Sequence, residues 1–195
     1  MAELLGSVAA YTVLLTLLVA TAEHLSRPAT LTEALAAHRV LPAPGAVAAL
    51  VIASEGLLAG TGVVALFRDN GALLVAVLVG GAVLLGLYAG YGLHLMSTGR
   101  TGSCGCSRIE LPMTGWVVAR AAILAGLALV ALVLSGSVIP PDRADSSLTV
   151  VLLAAVTFTA LLWHLPAAMY DPTATTATRP PNHRIIRITQ RGLPG

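Results

Sequence analysis

Two cysteines stand one residue apart in the segment Gly99-Arg100-Thr101-Gly102-Ser103-Cys104-Gly105-Cys106-Ser107-Arg108, and they are the only two in the chain. Two thiols this close cannot staple a fold. Free structural cysteines are usually buried among apolar side chains, whereas Cys104 and Cys106 sit in a glycine-rich stretch between Arg100 and Arg108. Neighbouring cations favour the thiolate, the form that attacks disulfides. A disulfide requires Cα atoms about 4.4–6.8 Å apart. Positions i and i+2 meet that if the residue between them turns, which Gly105 permits. The small ring would be strained, and strained, exposed disulfides are the labile and oxidising ones. The pattern therefore points to thiol–disulfide exchange, with Cys104 and Cys106 as the exchanging pair and Arg100 and Arg108 tuning them. The plain alternative is a pair of inert loop thiols. A metal site would need His24, His94 or His164 to complete the coordination.

Two further charges fall inside long apolar runs. Glu55 lies about 14 Å below the start of its run at 1.5 Å per residue. Arg120 stands in the first turns of another run that starts from the same face. Charges in a membrane segment are costly and mark function or pairing, so a Glu55–Arg120 ion pair is expected, either fixing helix register or handling a proton. Glu23, His24, His38, His94 and His164 fall near run ends. With alternating topology all of them gather at the end of the bundle that carries the cysteines. His94 is thereby expected to support the site.

The elements that must position these groups follow from composition. The chain has 195 residues, 56% hydrophobic and 10% charged, with a mean hydropathy of +0.86. That is too little charge to coat a water-facing surface, where about 25% is usual. Every basic residue is Arg, so lysine Schiff-base and P-loop chemistry are excluded. A net charge of +2 and 4% aromatic residues do not describe a nucleic-acid binder. Five apolar stretches reach the ~20 residues that a spanning helix needs: 4–22, 46–67, 72–96, 116–134 and 148–169. Period-2 alternation is absent, which disfavours a barrel. The expected fold is an all-α polytopic membrane bundle over residues 1–170, with five transmembrane helices. Met1-Ala2-Glu3 lacks the positive start of a cleaved signal, so the first run reads as retained.

Segment 28–40 predicts one more, short interfacial helix. Thr30-Leu31-Thr32-Glu33 matches a capping box, and Leu31, Ala34 and Leu35 share a side. Gly56-x-x-x-Gly60 and Gly86-x-x-x-Gly90 predict close helix packing within the bundle. Residues 171–195, rich in Thr, Pro and Arg, read as a mobile basic tail, with Ile185-Ile186-Arg187-Ile188 as a short docking segment.

The chain resembles the MauE family of methylamine-utilisation membrane proteins, which are grouped with DoxX-like redox-associated membrane proteins. The resemblance rests on His38-Arg39-Val40-Leu41-Pro42, on Glu55 with Gly56 and Gly60, on a glycine-rich third run leading to Cys104-Gly105-Cys106, and on Trp116 and Arg120. It covers roughly residues 4–170. Where the family continues with Phe-Gly after the second cysteine, this chain has Ser107-Arg108. The resemblance implies a role in maturation of methylamine dehydrogenase, whose small subunit is rich in disulfides, beside a thioredoxin-like partner protein.

The leading expectation is thus a multi-pass cell-membrane protein that relays redox equivalents through Cys104 and Cys106, with Glu55, Arg120 and His94 supporting the bundle end or carrying protons. No cofactor is expected on this reading. The alternatives are a non-enzymatic scaffold or transport subunit for a secreted partner and a small quinone-linked oxidoreductase subunit. Arginine counts give an orientation. Arg27, Arg39, Arg100, Arg108 and four tail arginines share the cysteine face, against Arg68 and Arg143 opposite. The positive-inside rule places the cysteine loop in the cytoplasm.

Overall fold

In the computed structural model, which describes residues 1–100, 113–142 and 146–169, the chain forms six α-helices and one 3₁₀ turn. The helices are α1 (Ala2–Ser26), α2 (Pro28–His38), α3 (Pro44–Phe67), α4 (Gly71–Ser97), α5 (Gly115–Val133) and α6 (Ser146–Ala168), with the 3₁₀ turn at Ser135–Ser137. Five of them, all except α2, are long and apolar enough to cross a membrane. In hydrocarbon every backbone N–H and C=O must be bonded internally, and a continuous helix does that for Ala/Leu/Val/Gly runs. Cys104, Cys106, Arg108 and the tail at 171–195 lie outside the described residues.

α1 is the central element. It packs against α2, α3, α5 and α6, and 56% of its most apolar window is buried, against 28% in each of the other four spans. Its buried face mixes apolar residues with hydroxyls. Thr12 and Thr16 donate to Val8 O and Thr12 O at 2.7 and 2.8 Å, so these polar groups enter the core already satisfied. At its N-terminal end Ser7 accepts from Ile139 N at 2.9 Å and Tyr11 donates to Ile139 O at 3.0 Å. Those two bonds pin the link after α5 to the central helix.

The register of α1 against α3 determines the architecture of the other end. Leu14 packs at Gly62, Thr21 lies beside Gly56, and His24 meets Glu55. Glu55 is eleven residues into α3, or about 16 Å along it. Hence α1 ends well below the level where α3 begins. α2 fills the space left above. Leu31 and Leu35 pack on Ala48, with Val51, Ile52 and Tyr91 around them. The apolar side expected of the short helix, Leu31, Ala34 and Leu35, is the side it buries.

Two local expectations are corrected. The Thr30–Glu33 capping box does not start α2. Arg27 is its N-cap and Pro28 its first residue, since a proline needs no N–H partner there and presets φ. The second concerns the glycine repeats. A Cβ added at Gly56 would lie 3.4 Å from Thr21 Cγ2, a packing contact as expected, but one at Gly60, Gly86 or Gly90 would meet nothing within 4 Å among the described residues, so only one of the four repeat glycines faces a neighbour there. Close approach occurs elsewhere. A Cβ on Gly6 would lie 2.8 Å from Leu134 Cβ and 3.2 Å from its carbonyl oxygen, and one on Gly92 would lie 2.8 Å from Val118 Cγ2. Spacing marks glycines on a common stripe; which stripe faces a neighbour depends on helix rotation.

Candidate functional site

The polar groups of the bundle form a column that begins at the cysteine end and descends between α1, α2, α3 and α4. At the top, α4 ends at Ser97 and the chain reaches Arg100. The Arg100 guanidinium donates to His38 O at 3.1 Å and to Arg39 O at 2.8 Å. These are carbonyls at the C-terminus of α2, where the helix dipole presents negative charge. Arg39 adopts a left-handed conformation, φ 52°, which ends the helix there. Arg100 thereby ties the start of the cysteine segment to α2. Cys104 follows four residues later in the chain, a maximum reach of about 14 Å.

One turn further down, the buried His38 ring places Nδ1 3.1 Å from the Tyr91 hydroxyl. The two rings lie 5.8 Å apart between centroids, tilted by 54°. Three residues before Tyr91 on the same helical face stands Tyr88. The Tyr88 hydroxyl donates to Glu55 Oε1 at 2.8 Å. Glu55 Oε2 lies 2.7 Å from His24 Nδ1. Glu55 is 1% exposed and His24 6%. This is a fully desolvated carboxyl–imidazole pair near the middle of the membrane span, and each carboxyl oxygen has a partner.

The expected Glu55–Arg120 pair is not formed. Arg120 lies over the Trp163 ring, 5.3 Å from its centroid, while Glu55 is bonded to His24 and Tyr88. The reason is helix order. α1 packs against both α3 and α5, so the α1 imidazole reaches the carboxyl on α3 first. Depth also differs: Arg120 is five residues into α5, about 8 Å, against about 16 Å for Glu55. A cation over an aromatic face keeps its charge without a carboxylate partner.

The remaining sequence candidates separate cleanly. Arg100 joins the column, but through α2 carbonyls. His94 and His164 are exposed on the helix surface, so neither enters it. Cys104, Cys106 and Arg108 lie outside the described residues. Among the described residues no three of His, Cys, Asp and Glu converge as a metal-ligand set. Sequence reasoning missed Tyr88 and Tyr91. Their signal is two phenols at i and i+3 in a helix that is otherwise almost wholly apolar, so both hydroxyls need partners on one face.

The chain can also be compared with known families. The family model described as "Methylamine utilisation protein MauE" matches residues 2–134. The chain belongs to the MauE family. The match takes in α1 to α5, hence every residue of the column and both cysteines, and stops before α6. No curated protein and no solved structure matches the chain. MauE membership and five apolar helices together describe a multi-pass membrane protein. In this MauE protein the buried His24 and Glu55 side chains share one short hydrogen bond.

Proposed function

We propose that this MauE protein is a membrane thiol–disulfide exchange component, with Cys104 and Cys106 as the exchanging pair. The exchange partner is a thioredoxin-like protein. The ultimate client is a disulfide-rich subunit of methylamine dehydrogenase, a role that the MauE resemblance implies. In the exchange, a thiolate on one protein attacks the disulfide of the other. One S–S bond forms as a mixed disulfide while one breaks, and the displaced sulfur leaves as thiolate. The second thiol of the attacking pair then resolves the mixed disulfide. One protein ends oxidised and the other reduced by the same two electrons. The proton lost from each attacking thiol is returned to each leaving sulfur.

The observation that carries this reading is the attachment of the cysteine segment to a buried ionisable column. Arg100, four residues before Cys104, is bonded to α2 carbonyls, and the column beneath ends in a desolvated carboxyl–imidazole pair. A passive scaffold has no need to hold ionisable groups at that cost. Alkylation-shift assays on membranes test the proposal. A dithiol-to-disulfide conversion of Cys104 and Cys106 under mild oxidation is expected, reversed by reductant, with loss of client maturation in Cys104→Ser and Cys106→Ser. Thiols of the unaltered protein that stay free under oxidation, together with full client maturation in both variants, overturn it.

A further inference from the structure

We propose that His24, Glu55 and Tyr88 form a proton-binding site in the middle of the bundle that exchanges protons with the cysteine face only. The pair is built like a general acid–base dyad. Glu55 Oε2 holds His24 Nδ1, while Tyr88 holds the other carboxyl oxygen. A carboxylate on one ring nitrogen fixes the imidazole orientation and leaves the other nitrogen to accept or donate. That other nitrogen, His24 Nε2, is buried and makes no hydrogen bond among the described residues. A purely structural pair would have its polar atoms satisfied, because burying an unbonded polar group costs about 1–3 kcal/mol.

The one-sidedness follows from what lies above and below. Toward the cysteine face, hydroxyl and imidazole groups continue upward as Tyr88, Tyr91, His38 and Arg100. Toward the opposite face the next layer is Val13, Leu17, Ala59, Leu85, Leu124 and Ala128, each at most 4% exposed. Among the described residues the buried hydroxyls near that layer, Thr12 and Thr16 on α1 and Thr159 on α6, all donate to carbonyls of α1. They leave no proton free to pass on. The other ionisable groups on the elements around the pair are Glu23 beside it on α1, Glu33 and His38 on α2, and Tyr88, Tyr91 and the exposed His94 on α4, while Glu3 and Tyr11 lie toward the far end of α1. Arg120 on α5 is engaged with Trp163, and His164 on α6 is exposed. The use of the site rests on the exchange reading: it holds the proton released at the attacking thiol until the leaving sulfur takes it.

Labelling with a lipid-soluble carbodiimide, which modifies a buried carboxyl only while it is protonated, tests the proposal. The full chain is reconstituted in phospholipid vesicles, and the fraction modified is read from the mass of the peptide carrying Glu55. Vesicle orientation is assigned with a membrane-impermeant maleimide on Cys104 and Cys106. Acidifying the medium on the cysteine face is expected to raise the labelling rate, by up to roughly tenfold per unit of pH. The same acid step on the other face is expected to leave the rate unchanged. A rate that follows the opposite face, follows both faces equally, or ignores pH overturns the proposal. So does a carboxyl that never labels. Glu55→Gln removes the modified peptide and Glu55→Asp restores it. If Glu55→Gln does not fold, peptide mass in the unaltered protein still assigns the site. Cysteines that prove inert in exchange would refute the previous reading while leaving this labelling pattern intact.

Discussion

At the scale of single residues, the buried Glu55 is held by two neighbours rather than by a distant cation. Removing one member of a buried ionic pair leaves the other uncompensated, at about 3–5 kcal/mol. His24→Leu alone is therefore expected to lower the stability of the folded protein by that order, and Glu55→Leu to act similarly. The double variant should recover much of the loss, because two apolar side chains need no partner. Thermal unfolding of purified protein in detergent reads the cycle, and strictly additive losses would contradict the pairing. Arg120 gives the complementary case. With its guanidinium over Trp163, Arg120→Leu should cost about 0.5–2 kcal/mol. Combined with Glu55→Gln it should add to within about 0.5 kcal/mol, as independent sites do.

At the scale of elements, packing depends on which glycines face a neighbouring helix. Gly6 lies against the Cβ and carbonyl of Leu134, and Gly92 against the stiff, branched Val118. Neither neighbour can swing away as the tip of a long side chain could. Gly6→Ala and Gly92→Ala should each destabilise the bundle by about 1–3 kcal/mol through overpacking. Gly86 and Gly90 have open space at the Cβ position. Alanine there should be neutral or raise stability by up to about 1 kcal/mol, the helix-propensity difference. Melting temperatures of the four variants decide the matter, and equal losses at all four would contradict the rotation of α4. α2 belongs to the same scale. Its length, with its C-terminal carbonyls under Arg100, holds Arg100, four residues before Cys104 in the chain, at the top of the column. Arg100→Ala should slow disulfide exchange at Cys104 and Cys106 while leaving the melting temperature nearly unchanged, since the bond to Arg39 O is exposed.

At the scale of the whole molecule, orientation sets which compartment meets the cysteines. Eight loop and tail arginines share the cysteine face and two the other, so the cysteine face is expected in the cytoplasm. Thiols there stay reduced, and Cys104 and Cys106 would take electrons from a cytosolic donor. A membrane-impermeant maleimide should label them only after permeabilisation; labelling of intact cells would reverse the assignment. Removing the chain after Asp171 takes away four of those eight arginines. The truncated protein is expected to insert and fold, because α1 to α6 all lie before that point.

The helices, their number and their approximate ends follow from the sequence alone, because hydrocarbon leaves an apolar run no alternative to internal hydrogen bonding. The same is true of the short helix before α3, whose apolar side at Leu31, Ala34 and Leu35 appears in local spacing. The presence of a buried acid in α3 is equally local, since Glu55 has eleven helical residues on one side of it and twelve on the other. Its partner is not. Whether Glu55 meets Arg120 or His24 depends on which helix stands beside α3, and on how far α1 slides along it. Neither quantity is encoded in the spacing within one run. In a uniformly apolar solvent, hydropathy gives no preferred face to a helix of Ala, Leu, Val and Gly. Rotation and slide are then decided by contacts between helices, such as Leu14 in the notch at Gly62 and Gly6 against Leu134. Those contacts placed His24 beside Glu55, turned Tyr88 and Tyr91 inward, and left Gly86, Gly90 and His94 on the outer surface.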